Sequence, residues 1–457
     1  MNFDANKEAL IELDDSLKSK GIRYIQTETP DINGTLRGKL CARGKALSTN
    51  GSAFCTILYG LSTRDDVYES RYSSFENGFP DAVSIADPST AVVLDADEGI
   101  ASVICDMVTE ERDSYYPLSP RTALRRVVDK AEQMDFAARF AVELEVYVVR
   151  VDRDKIGSGQ MHDLEPLGRV HNAYSLARMD ELRPLAAKFM DRMSAIGIEI
   201  EAMHTELGYG MIELAISHLP ALEAADACSR AKLYLKQFLS LHGYAVVFMP
   251  KWKYEESGCG GHTHQSLWRD GKPVFADENA QFSKTGQQYV AGQLATLRDF
   301  SAVFYPTINA YRRMDAQTWA PENVSWGMDN RTCALRVITQ PNPSAFRIEH
   351  RCPGADVNGY LAIACMLGGG LMGIEKSMAP QPATVGDSTA EANAIELPRS
   401  LEESVALFRK SDLATEILGE ELVEQYAISR DEECRLWREW QMKTISEWEL
   451  VRYFDMH

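Results

Sequence analysis

Residues 138–149 read ARFAVELEVYVV. Successive side chains of a strand point to opposite faces, so Val142, Leu144 and Val146 share one side while Glu143 and Glu145 share the other. Six further segments have strand character: 198–206 (IEIEAMHTE), 210–216 (GMIELAI), 244–250 (YAVVFMP), 261–268 (GHTHQSLW), 333–339 (CALRVIT) and 345–351 (AFRIEHR). Long amphipathic helices are predicted at Leu222–Leu241 and Gly286–Phe304. Strands and helices do not alternate one for one, as a doubly wound sheet requires, and several strands carry charge at every second position. This predicts an α+β fold whose large, curved antiparallel sheet turns one polar side towards a cavity.

Working towards the N-terminus, Leu10, Ile11, Leu13 and Leu17 give Ala5–Lys20 helical spacing that stops at Gly21. Segments 22–29 (IRYIQTET) and 35–42 (TLRGKLCA) flank Asn33-Gly34, a hairpin signal. A polar, proline-bearing stretch, 111–120 (ERDSYYPLSP), ends with Ser119 as N-cap and Pro120 at the first helical position. The expected division is a small N-terminal α+β domain, 1–112, and a large second domain, 113–457. Tyr360–Ile374 is uncharged and glycine-rich, but its 15 residues fall short of the roughly 20 that span a bilayer, so a buried helix is expected. Ser377–Ala394 reads as a flexible flap, and the chain from about 400 onwards as a charged, solvated helical cover.

The 457 residues are 45% hydrophobic, enough for a sizeable core, and carry a formal net charge of −19. That charge repels phosphate backbones and anionic headgroups, so neither nucleic acid nor membrane is an expected partner. The acidic start without an apolar signal core, and nine cysteines with no CxxC, lead us to expect a reducing cytoplasm.

Chemistry-bearing residues recur on the polar side. Glu206 and Glu213 bracket a glycine-bearing turn, and His262 and His264 follow Gly258, Gly260 and Gly261, which allow close backbone approach to a ligand. Carboxylates with few histidines and no thiolate cluster suit Mg²⁺ or Mn²⁺. Arg331, Arg336, Arg347 and Arg351 supply paired donors for phosphate or carboxylate, with Glu349 among them. Alone, each group is equally a solvated edge or a structural ion-pair ladder; together they call for anionic ligands plus metal.

In order, DINGTLRGK, DPSTAVV, ELE, HTELGYGMIE, GHTHQSLW, NAYRR, APENVSWGMDNRT, RIEHRCPGADVNGYLA and LPRSLEE resemble the glutamine synthetase family from about Asp31 to the C-terminus. The resemblance implies a small N-terminal β-grasp-like domain, a catalytic domain on an antiparallel sheet, and a funnel completed by a neighbour in a ring, most simply two stacked hexamers. It implies ATP-dependent ligation of L-glutamate through γ-glutamyl phosphate. By motif position Glu145, Glu206 and Glu213 would hold the metal near glutamate, and Glu143, His262 and Glu349 the metal on the ATP phosphates. His264 and Ser266 would lie on the nucleotide side, Arg336 and Arg347 on phosphate, Arg313 and Arg351 on the glutamate carboxylate with Gly258 beside it, and Arg331 on the transferred phosphoryl.

Departures from the family pattern bear on the nitrogen donor. Trp319 stands where the usual glutamate binds ammonium, and Cys55 aligns with the aspartate that assists it. Met211 replaces a glutamine, Ser257 an asparagine, and Ile395 the tyrosine that is adenylylated in some bacterial members. These departures favour the branch that makes γ-glutamylisopropylamide or γ-glutamylanilide, with an organic amine as substrate. The alternatives are glutamine synthetase itself, with Asp315 or Glu322 replacing the missing acid, and a catalytically silent scaffold. Amide hydrolysis would leave so many arginines without purpose.

Overall fold

The structure, a computed structural model, describes residues 3–168, 173–314, 319–391 and 394–455. Its strands form two sheets. The smaller holds β1 (Tyr24–Pro30), β2 (Leu36–Arg37), β3 (Leu40–Ala42), β4 (Ser52–Cys55), β5 (Asp81–Ala86), β6 (Val92–Asp95) and β7 (Ile100–Val108). β1 and β7 run parallel, and the hairpin of β1 with β2 turns at the expected Asn33-Gly34. Leu10 and Leu17 of the first helix, Phe3–Ser19, pack with Ile25, Ala101 and Val103 of this sheet.

The larger sheet is built on β8 (Ala137–Arg150), with β9 (Ile200–Thr205), β10 (Met211–Ile216), β11 (Leu219–Pro220), β12 (Tyr244–Val247), β13 (Thr263–Arg269), β14 (Lys272–Pro273), β15 (Trp326–Met328), β16 (Leu335–Ile338) and β17 (Arg347–His350). Its main order is β15-β16-β17-β13-β8-β10-β9, antiparallel except for the β15–β16 pair. At 14 residues β8 is long enough to pair with β13 and β12 as well as β10 and β11, which makes it the spine of the sheet. Its apolar side, Val142, Leu144, Val146 and Val148, is buried against Leu182 and Phe189 of helix Met179–Ala195 and Ala227, Tyr234 and Leu235 of helix Ala221–Ser240.

A second core surrounds the buried helix Gly359–Glu375. A side chain at Gly292 would lie 2.1 Å from the Gly369 carbonyl oxygen, so helices Lys284–Thr296 and Gly359–Glu375 touch backbone to backbone. No helix among the described residues is long and apolar enough to cross a membrane.

Three expectations are corrected. The helix predicted over Gly286–Phe304 ends at Thr296 and resumes as a short turn at Ser301–Phe304; at the break Thr296 Oγ1 donates back to the carbonyls of Gly292 and Gln293, a contact that bends helices. The C-terminal helices are more than a cover: Val405, Phe408, Leu422 and Tyr426 belong to the second core. The proposed flap is tied down, with Trp326 Nε1 donating to Gln381 O at 2.8 Å, Gln381 Nε2 to Val324 O at 2.8 Å, and Ser388 Oγ to Thr332 O at 2.6 Å; residues 392–393 of it lie outside the described residues.

Buried ion pairs join the smaller sheet to helices of the rest of the chain. Arg121, at the start of helix Pro120–Gln133, donates to Asp106 at 2.8 Å, Asp87 at 2.9 Å and both oxygens of Asp226 at 2.9 Å, while Tyr360 Oη donates to Asp226 at 2.8 Å. Nearby, Arg230 Nε holds Glu28 of β1 at 2.8 Å. Removing one partner of such a network strands the other charges in a dry environment. Arg121→Met is therefore expected to destabilise the protein by about 3–5 kcal/mol in chemical denaturation; a loss within about 0.5 kcal/mol, typical of a surface change, would contradict this role.

Candidate active site

Strand register assembles the site. Across the sheet, Arg336 of β16 lies opposite Glu349 of β17, Glu349 opposite His264 of β13, and His264 opposite Ala141 of β8. A second row puts Glu145 of β8 opposite Glu213 of β10, and Glu213 opposite His204 of β9. Glu143 lies between the rows because it shares the polar side of β8 with Glu145.

In the first row His264 Nε2 is 2.9 Å from Glu143 Oε1, and His262 Nδ1 is 3.7 Å from both Glu143 and Glu349. Arg336 Nη1 contacts the other Glu349 oxygen at 2.9 Å, and Arg351 Nη1 also pairs with Glu349. Burial opposes charge on Glu349, yet Arg351, with His262 and His264, holds its pKa at about 2. Glu143 is only partly buried; although desolvation opposes its charge, His262 and His264 hold it below the usual carboxylate range.

The second row behaves oppositely. Burial, and then the charges of Glu145 and Glu213, push Glu206 above its ordinary value. His204 Nε2 sits 3.3 Å from Glu213, and this contact raises the imidazole pKa against the effect of burial. Glu145 accepts from Gly260 N at 2.5 Å, and a side chain at Gly260 would strike His262 Nε2 at 2.6 Å. Mutual repulsion of all the carboxylates in the absence of metal thus holds for Glu206 but not for Glu349, which its arginines stabilise.

The donors fit divalent cations. Ligand atoms of Glu143, His264 and Glu349 lie within 4.8 Å of one another, as do those of His204, Glu206 and Glu213; these groups contain His264 and His204 where the expected ones had His262 and Glu145, and His204 Nδ1 is buried without a hydrogen-bond partner. Oxygen-rich sets of this kind suit Mg²⁺ or Mn²⁺.

A cavity of about 170 Å³ brings together Glu143, Glu145, Glu206, Glu213, His262, Glu349, Gly258, Arg313, Trp319, Arg331, Arg336 and Arg351. Arg313 is fixed by donating to the carbonyls of Cys352 at 2.8 Å and Arg351 at 3.0 Å. Of the other expected residues, Arg347 Nε donates to His264 Nδ1 at 3.3 Å, and Ser266 accepts from Trp268 Nε1 at 3.0 Å; both stand along the sheet from the cavity. Cys55 is elsewhere, on β4, with its Sγ donating to Phe79 O at 3.5 Å. Glu322 is paired with Arg399 at 2.6 Å and does not line the cavity, while Asp315 lies outside the described residues. Sequence reasoning missed His204, Tyr174 and Leu207. His204 alternates with Glu206 just as Glu143 does with Glu145, and that period was its available signal.

Residues 117–453 match the family description "Glutamine synthetase, catalytic domain". The chain is 34% identical to a glutamate–isopropylamine ligase of a Pseudomonas species over 99% of both chains. It is 31% identical to the γ-glutamylethanolamide synthetase GlnA4 of Streptomyces coelicolor, covering 93% of this chain and 91% of that one. It is 30% identical to a glutamine synthetase of Thermotoga maritima, covering 96% and 97%. A solved structure, GmaS in complex with ADP, superimposes with a TM-score of 0.83 at 24% identity, covering 97% and 99%. The fold and site define a ligase that forms C–N bonds. The chain belongs to the glutamine synthetase family and resembles its γ-glutamylamide synthetase branch.

The contrast between Glu206 and Glu349 predicts opposite pH effects on the metal-free protein. A raised carboxyl pKa gives stability that is present below the unfolded value and lost as pH rises, so in chelator Glu206→Gln should become progressively more stable than wild type above pH 4.5. Glu349, with its depressed pKa, stabilises the fold above 4.5 and loses that contribution as pH falls through about 2, so Glu349→Gln should be less stable than wild type at neutral pH. Thermal melts against pH check both signs; curves parallel to wild type for both variants would contradict the electrostatic asymmetry.

Proposed function

We propose that the enzyme joins the γ-carboxylate of L-glutamate to an organic primary amine, a small alkylamine or arylamine, while ATP is split to ADP and phosphate. The observation that carries this reading is Trp319 in the cavity wall, where an ammonium-using site needs a carboxylate. Ammonium is small and strongly hydrated, so capturing it requires acids that replace its water and accept a proton. An indole instead offers apolar surface and a cation–π face.

On this reading Glu145, Glu206 and Glu213 hold one divalent cation beside glutamate, and Glu143, His262 and Glu349 hold another beside the ATP phosphates. Bound there, such cations offset the charge that spreads over the transferring phosphoryl group. Arg313 and Arg351 orient the substrate carboxylate. Gly258 leaves room for it, since a Cβ there would come within 2.7 Å of Arg313 Cγ. The γ-carboxylate oxygen attacks the terminal phosphorus and ADP leaves, with Arg331 stabilising the equatorial oxygens and Arg336 and Arg347 on the phosphate side. The neutral amine then attacks the acyl carbon, phosphate departs, and the amine's excess proton is released. His264 and Ser266 face the nucleotide. The same sheet face continues into an open cleft of about 730 Å³ lined by Phe136, Arg139, His218 and Trp268, which supports a site for the adenosine.

The same proposal covers organisation: domains 1–112 and 113–457, a cytoplasmic location, and two stacked hexameric rings in which Cys55 of one subunit approaches the cavity of the next. Exposed Trp448, Val451 and Phe454 at the C-terminus offer apolar surface for subunit contact.

ADP release with glutamate and a panel of ammonium, alkylamines and arylamines tests the reaction. The expected result is clear turnover with a small alkyl or aryl amine, negligible glutamine from ammonium, and a loss of that preference in Trp319→Ala. Burying a few methylenes at about 0.8 kcal/mol each accounts for tens- to hundreds-fold selectivity. Efficient use of ammonium with no gain from any organic amine would overturn the proposal in favour of glutamine synthesis.

A further inference from the structure

We infer that Leu207, together with Tyr174 and Trp319, forms the wall that selects the amine, and that it selects a compact hydrocarbon substituent without a hydroxyl or a second ammonium; this rests on the ligation reading above. The charged groups His262, Arg336 and Arg351 surround Glu349, whereas Leu207 follows Glu206 and Tyr174 lies on His204, the partner of Glu213; Trp319 and Met211 line the same cavity. Three of these large side chains are open to solvent, Leu207 by 48%, Trp319 by 57% and Tyr174 by 69%. Apolar groups left exposed inside a charged cavity mark a surface that an apolar ligand would cover.

The backbone holds this wall in place. Leu207 N donates to Glu206 Oε2 at 3.0 Å, which holds the Leu207 backbone beside a carboxylate of the acidic group. The following turn cannot shift freely: Tyr209 N donates to Glu256 at 3.1 Å, and a side chain at Gly208 would overlap the Tyr147 hydroxyl at 2.1 Å. Tyr174 has a φ of 55° and Trp319 a φ of 54°, left-handed conformations that bulky residues rarely adopt. The Tyr174 ring lies against His204, 4.5 Å between centroids.

The same lining argues against polar substituents. Among its described residues only Tyr174 and Ser257 carry hydroxyl groups, and its only carboxylates are the five proposed as metal ligands. A second ammonium would therefore compete with cations, and a hydroxyl set against Leu207 would exchange water for a side chain that cannot hydrogen-bond. Isopropylamine matches this chemistry; ethanolamine and ethylenediamine do not.

The test measures kcat/KM for isopropylamine, ethanolamine and ethylenediamine by ADP release, using the full chain with L-glutamate, ATP and Mg²⁺. Wild type should prefer isopropylamine. Leu207→Ala should lower the isopropylamine-to-ethanolamine ratio about tenfold or more, mainly through KM for the amine, and Leu207→Met, which keeps the bulk, should restore most of it. A general structural role would lower both amines alike, and that result would overturn the inference while leaving organic-amine ligation intact. A wild-type preference for ethanolamine or ethylenediamine would also overturn it. Turnover of ammonium but of no organic amine would overturn both this inference and the reading beneath it.

Discussion

Like-charge repulsion among Glu145, Glu206 and Glu213 is the constraint on which the catalytic sheet depends. Two carboxylates about 4 Å apart repel by on the order of 4 kcal/mol at an effective dielectric near 20. Burial and the two neighbouring charges push Glu206 above its ordinary pKa. The fold sustains this because β8 and β10, paired at Glu145 and Glu213, carry these acids on one side only. Its other side is sealed by Val142, Leu144, Val146 and Val148 against two helices. The apolar burial that stabilises the sheet thus holds the acids where they repel.

The two ends of the cavity solve the electrostatic problem differently. Glu349 is neutralised from within by Arg336 and Arg351, whereas the Glu206–Glu213 end has His204 and otherwise depends on ligands for positive charge. In the proposed reaction this asymmetry is useful: the arginine-rich end receives phosphate, and the acidic end gathers a cation, the substrate carboxylate and, beside Leu207 and Trp319, the amine. The buried Arg121 and Arg230 networks hold the N-terminal sheet against the helices beneath this surface, giving the site a fixed frame.

Much of this was legible because strand periodicity is local. The alternation in 138–149 and in 345–351 placed Glu143 with Glu145, and Arg347 with Glu349, on shared faces, as the structure has them, while Arg351 lies one residue past the end of its strand. What was hidden depends on contacts across the sheet. His204 belongs to the site through its register with Glu213, and Tyr174 through its ring contact with His204. The break at Thr296 escaped prediction because the apolar spacing of the segment runs on past it to Phe304. The C-terminal helices looked solvated because their charged outer faces dominate the composition, while one stripe, including Phe408 and Tyr426, enters the core.

The proposed reaction requires that register at β8 set two divalent-cation sites side by side. Anomalous diffraction from crystals of the enzyme with Mn²⁺ and ADP measures this directly. Two manganese peaks per subunit are expected, one at Glu143, His262 and Glu349 and one at Glu145, Glu206 and Glu213, separated by no more than about 7 Å, the distance between alternate strand side chains. Manganese bound elsewhere, with neither group of carboxylates as ligands, would contradict it.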